Sequence, residues 1–113
     1  MHETSKSYQL ENNIVESDFE EALEAVFKSA LGLLKQKHKD YGPKNISQSP
    51  GGPINGLRVR MWDKLARINN LHESGVAPEN ESLLDSFMDL MNYSAIGIMV
   101  LTDKWDKEFK PPI

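Results

Sequence analysis

Cysteine is missing from all 113 residues. That excludes a disulfide framework, cysteine-based zinc binding and thiol chemistry, and it suits a reducing, cytoplasmic setting. Also missing is any apolar run near the ~20 residues that a membrane helix needs. The opening stretch MHETSKSYQLENN has no apolar core of the signal-peptide kind. Neither an internal repeat nor a strand-like alternation interrupts the pattern. A net charge of −4 argues against bulk binding to a nucleic-acid backbone.

What remains is ordinary for a globular chain: 39% hydrophobic and 27% charged residues, enough for one domain with a modest core. Residues 1–16 read as a polar arm, 17–110 as a single helical domain and 111–113 as a tail. The basic residues are bunched, since Lys35–Lys44 and Arg58–Arg67 hold eight of the thirteen. A local basic surface on an acidic chain suits a small anionic ligand better than a polymer.

Helical periodicity organises three segments, and the expected fold class is all-α, a small bundle of about three main helices. Ser17 with Glu20 makes a capping-box signature, followed by a stripe of Phe19, Leu23, Val26, Phe27, Ala30, Leu31 and Leu34, with Gly42-Pro43 as the stop. Residues 40–55, rich in Gly, Pro, Ser and Asn, read as a long loop, a functional segment or a mere connector. A second helix is expected over 56–71 with Asn55 as its cap. Its apolar face is Leu57, Met61, Leu65 and Ile68, and a polar stripe of Arg60, Asp63, Arg67 and Asn70 follows another side. After a Gly/Pro turn, Asn80 is expected to cap a third helix running to about Leu101. Its apolar side would be Leu83, Phe87, Leu90, Ser94, Ile98 and Leu101. Trp105 and Phe109 follow as aromatic anchors.

On the third helix Glu81, Asp85 and Asp89 stand four apart, so they form one row, and Asn92 joins the same sector. Met88, Tyr93, Ile96 and Val100 border that sector, which suggests a cleft. Carboxylates in apolar surroundings need compensation, because desolvation and mutual repulsion both raise their pKa values. Mg²⁺ (or Mn²⁺) held by oxygen ligands would supply it, and so would ion pairs from Arg58, Arg60, Lys64 and Arg67. A metal with phosphates facing the basic stripe would support phosphoanhydride hydrolysis by an activated water.

Three stretches carry a family resemblance: HKDYGPKNI at 38–46, GLRVRMWDKLARINNL at 56–71 and ESLLDSFMDLMNY at 81–93. Together they resemble the nucleotide-modification-associated domain family of bacteriophages and some bacteria, over about residues 19–104. The helical layout is also similar to that of the MazG-like all-α nucleoside triphosphate pyrophosphohydrolases. Those hold Mg²⁺ on paired acidic motifs and assemble as dimers or tetramers that complete a four-helix bundle. The acid spacing departs from theirs: Ala66 and Arg67 follow Asp63 where a second acid would stand, and Glu81 and Asp85 are four apart.

The resemblance implies a nucleotide-binding protein of phage-type nucleotide metabolism, in the cytoplasm of the host cell if phage-encoded. The expected activity is Mg²⁺-dependent pyrophosphohydrolysis, in a homo-oligomer. Glu81 and Asp85 would be catalytic, and Glu81, Asp85, Asp89 and Asp63 would hold metal. Lys39, Tyr41, Lys44, Asn45, Arg60, Lys64, Arg67, Asn70 and Asn92 would contact the nucleotide. Two other readings stand beside it: a non-catalytic protein that sequesters a nucleotide or a host defence signal, and a structural module whose acids and arginines pair between helices.

Overall fold

The computed structural model describes residues 8–79 and 82–106, with side chains from residue 18 onward. The chain is all-α: α1 (Tyr8–Tyr41), the single turn α2 (Lys44–Ser47), α3 (Pro53–Ser74) and α4 (Leu83–Leu101). No strand occurs among the described residues, and no helix there is long and apolar enough to cross a membrane. Phe109 lies outside them.

The first helix begins at Tyr8, upstream of the expected start at Ser17. The backbone is already helical before Ser17, so the Ser17–Glu20 signature marks no terminus and residues 8–16 belong to the helix. At its other end α1 stops where the glycine lies. Gly42 takes a left-handed φ of 69° and returns its N–H to the His38 carbonyl at 2.8 Å.

The expected loop is partly ordered, with α2 inside it. α3 starts three residues earlier than expected, with Gly52 as N-cap and Pro53 in the first turn, where its missing N–H costs nothing. Asn55 is therefore inside the helix and accepts from Arg58 Nη1 at 2.8 Å. Gly75, with φ 68°, closes the far end.

α4 is capped by Ser82 and not by Asn80, which lies outside the described residues with Glu81. The Ser82 side chain accepts from Asp85 N–H while the Asp85 carboxylate accepts from Ser82 N–H, a reciprocal capping box.

The core is small. Ile46 of α2, Leu57 of α3 and Ile96 of α4 are buried together, with Leu34, Tyr93, Val100 and Trp105 packed around them. α3 and α4 form the closest pair, and α1 leans on α4 through its C-terminal half.

The main correction concerns which side of α4 faces inward. The expected apolar side is largely exposed: Phe87 is 53% and Ile98 63% accessible, and Leu83 and Leu101 are open as well. The buried positions are Ser86, Asp89, Asn92 and Ile96. The helices close around this polar ladder because two of its groups, Ser86 and Asp89, find partners inside. Arg67 Nη1 donates to Ser86 Oγ at 2.7 Å, and two lysines reach Asp89. A buried polar group costs little once it is hydrogen-bonded. On α3, likewise, Leu65 of the expected apolar face is exposed, beside Val59 and Trp62.

Candidate functional site

A cleft of about 200 Å³ opens between the C-terminal end of α1, α2, the first half of α3 and the middle of α4. Three kinds of side chain build it. Leu34, Ile46 and Ile96 give an apolar floor continuous with the core, and Tyr41, His38, Tyr93 and Trp105 give aromatic walls. Lys37, Arg60 and Asp89 bring charge, and Asn45 and Asn92 bring carboxamides.

Local bonds fix most of these groups. Trp105 donates its indole N–H to the Pro43 carbonyl at 3.0 Å and meets His38 edge-on, with ring centroids 5.1 Å apart. This pins the segment after α4 across the turn that ends α1. Ser49 Oγ donates to the Asn45 carbonyl at 2.8 Å, and Arg60 Nη2 donates to the same carbonyl at 3.3 Å. Arg60 thereby ties α3 to α2. Gly56, buried in α3, lets the Ser49 turn approach closely, since any Cβ there would run into the Ser49 side chain.

Asp89 is the electrostatic centre. It is 7% exposed, and Lys64 Nζ lies 2.9 Å from one carboxylate oxygen while Lys37 Nζ lies 3.0 Å from the other. Burial alone pushes its pKa up. The hydrogen bonds from Lys64 and Lys37, with the charges behind them, outweigh that and hold the carboxyl below its ordinary value. Lys37, Lys64 and Arg60 thus set three positive charges against one negative in and beside the cleft.

Two carboxamide atoms here lack a partner. Asn92 is 8% exposed, yet its Nδ2 makes no hydrogen bond, and neither does the buried Oδ1 of Asn45. Both side chains line the cleft. A buried, unpaired donor or acceptor costs about 1–3 kcal/mol, so each atom has room for one more hydrogen bond, to water or to a ligand.

Residues 37–101, more than half of the chain, match the family model described as Nucleotide modification associated domain 1. The chain belongs to that family. No curated protein and no solved structure matches it. The matched segment of this nucleotide modification associated domain runs from Lys37 through α4, and so contains the charged and carboxamide side chains of the cleft.

Of the residues expected at the site, Tyr41, Asn45, Arg60, Asp89 and Asn92 come together in the cleft, and Lys64 joins them through Asp89. Lys39, Lys44, Asp63 and Asn70 are exposed and line no part of it. Arg67 sits at the start of α4, bonded to Ser86 Oγ and to the Ser82 carbonyl at 3.2 Å. Asp85 is engaged in the capping box, and Glu81 lies outside the described residues. Among the described residues no three His, Cys, Asp or Glu side chains gather to share a metal ion. As arranged, these donors suit an anion better than Mg²⁺, because ammonium groups occupy both Asp89 oxygens.

Several cleft residues have a second, local role. Lys37 and His38 stand in the last turns of α1, where positive charge is expected for the helix dipole alone. Trp105 reads as a packing anchor, and it is one, while its ring also walls the cleft.

Proposed function

We propose that the cleft binds a nucleotide. The base or sugar would enter between Tyr41, Tyr93 and Trp105, and the phosphates would lie toward Lys37, Arg60 and Lys64. The observation that carries this reading is the pair of unpartnered carboxamide atoms, Asn92 Nδ2 and Asn45 Oδ1, on an aromatic wall beside an excess of positive charge. A carboxamide offers both donor and acceptor, as a base edge requires, and aromatic rings supply the stacking surface. The volume of about 200 Å³ is below the roughly 300–1,000 Å³ of full-size ligand sites. It suits one ring system held inside, with the charged end at the mouth.

Lys37 is the natural phosphate contact. Its side chain is 47% exposed, so it can swing from Asp89 to a phosphate while Lys64, only 19% exposed, keeps the carboxylate neutralised. The finer reading is Mg²⁺-dependent release of pyrophosphate from a nucleoside triphosphate, as in the MazG-like enzymes. It rests on the Glu81, Asp85 and Asp89 row and asks for a metal site that the described donors do not form. The present side chains provide binding and charge neutralisation, which also serve a sequestering protein.

Calorimetric titration with nucleoside mono- and triphosphates, with and without Mg²⁺, tests both levels when pyrophosphate release is followed in parallel. Binding without metal is expected, weakened about tenfold (about 1.4 kcal/mol) by Asn92→Ala. Failure of every nucleotide to bind would sink the nucleotide reading. Binding without pyrophosphate release would remove only the hydrolase.

A further inference from the structure

We infer that the cleft selects a nucleoside monophosphate with a single-ring, pyrimidine base. The inference rests on the nucleotide reading of the cleft and narrows it to one ligand class. Two properties carry it: the charge that faces the opening and the room behind it.

The charge matches one phosphate. Asp89 and Lys64 cancel one another at 2.9 Å, and Lys64 does not line the cleft. Lys37 and Arg60 are left to face a ligand. Lys37 is nearly half exposed and can leave Asp89 without stranding it, because Lys64 stays. Arg60 bonds Ser49 Oγ through Nη1 and the Asn45 carbonyl through Nη2, both of them neutral oxygens, so these bonds leave its charge uncancelled. Two cations suit one phosphate monoester, which carries close to two negative charges near pH 7. Further phosphates would call for a counter-ion such as Mg²⁺, which binds through carboxylates as well as phosphates. Among the described residues no three His, Cys, Asp or Glu side chains gather to hold one.

The room limits the base. A cavity of roughly 150 Å³ holds a benzene ring. At about 200 Å³ the cleft therefore takes a six-membered ring with its exocyclic groups, and a fused purine overfills it. Ile46 and Ile96 belong to the core, and Trp105 is tied to the Pro43 carbonyl, so floor and wall are held against widening. The unpartnered atoms fit the edge of such a ring. Asn92 Nδ2 donates and Asn45 Oδ1 accepts, while uracil and cytosine each set an acceptor beside an N–H.

Calorimetric titration of the full chain in EDTA tests this. The probes are uridine and cytidine, their 5′-monophosphates and 5′-triphosphates, and adenosine and guanosine 5′-monophosphates. The better pyrimidine monophosphate is expected to bind about tenfold tighter than its own nucleoside, its own triphosphate and either purine monophosphate. Lys37→Gln, with helicity checked by circular dichroism, should erase most of the advantage of that monophosphate over its nucleoside. A triphosphate that binds as tightly without metal overturns the single phosphate. A purine monophosphate that binds equally well overturns the single-ring base, and an unchanged advantage in Lys37→Gln overturns Lys37 as the phosphate contact. Binding of none of the probes would sink the nucleotide reading itself, which a different order of preference among them would leave standing.

Discussion

Lys64 of α3 and Asp89 of α4 meet at 2.9 Å, and Lys37 of α1 takes the other carboxylate oxygen at 3.0 Å, so one buried acid joins three helices. The two lysines are not equivalent. Lys37 is nearly half exposed, and solvent screens its pairing, so Lys37→Ala should cost less than about 1 kcal/mol. Lys64 is mostly covered, and its loss leaves Asp89 short of its inner partner. Lys64→Ala should cost about 1–3 kcal/mol. Urea unfolding of the two variants checks the order; equal costs would mean that Lys37 is as shielded as Lys64.

The same pairing sets an acid limit. Asp89 has its pKa lowered in the folded state, so the folded chain binds that proton less readily than the unfolded chain does. The stabilisation is fully present above the unfolded carboxylate pKa of about 3.9 and is lost as pH falls through the lower folded value. The difference in stability between wild type and Asp89→Asn should be constant near neutrality and shrink below about pH 4. Denaturant melts at stepped pH measure it. A difference that grows in acid would reverse the sign and remove the ion pair as its cause.

The helical class and the approximate places of the three long helices are legible in the sequence, because period and turn residues are local signals. Orientation is not. The Leu83–Leu101 stripe outweighs the Ser86–Asp89–Asn92 ladder in hydrophobicity, so pattern alone turns α4 the wrong way. What decides is that Lys37 and Arg67, on two other helices, pair with Asp89 and Ser86, and such distant pairings leave no mark in local spacing. The site is legible in the same partial way. Tyr41, Asn45, Arg60, Asp89 and Asn92, expected together from sequence, do line one cleft. The Asp85 carboxylate serves as a cap once Ser82 takes the N-cap position, because a Ser-x-x-Asp capping box competes for the same side chain as a ligand.

Arg67 fastens the beginning of α4 to α3. Its Nη1 bonds Ser86 Oγ, which is fully buried, and the Ser82 carbonyl at the cap. Arg67→Ala leaves the hydroxyl without that donor and should cost about 1–3 kcal/mol. Ser86→Ala removes the hydroxyl as well, so the double variant should cost much less than the sum of the singles. A double-mutant cycle by thermal melting reads the coupling. Strict additivity would show that the two side chains do not act together.

Gly56 controls how closely the Ser49 turn lies on α3. A methyl group at this position would strike Ser49 Oγ and Cβ and crowd Arg60 Nη1 at 3.2 Å. The position is helical and α3 would tolerate alanine by propensity, so the effect has to come from the contact. Gly56→Ala should therefore destabilise by about 1–3 kcal/mol, in spite of alanine being the better helix former. Ser49 also donates to the Asn45 carbonyl and accepts from Arg60 Nη1, so pushing it away disturbs the wall that carries Asn45. Ligand affinity at the cleft should fall along with stability. Moving the methylene to the other partner, Gly56→Ala with Ser49→Gly, relieves the collision but forfeits the Ser49 hydroxyl. The double variant should recover part of the melting temperature and little of the affinity. Full recovery of both would mean that the close approach matters only for packing and that Ser49 does not position Asn45.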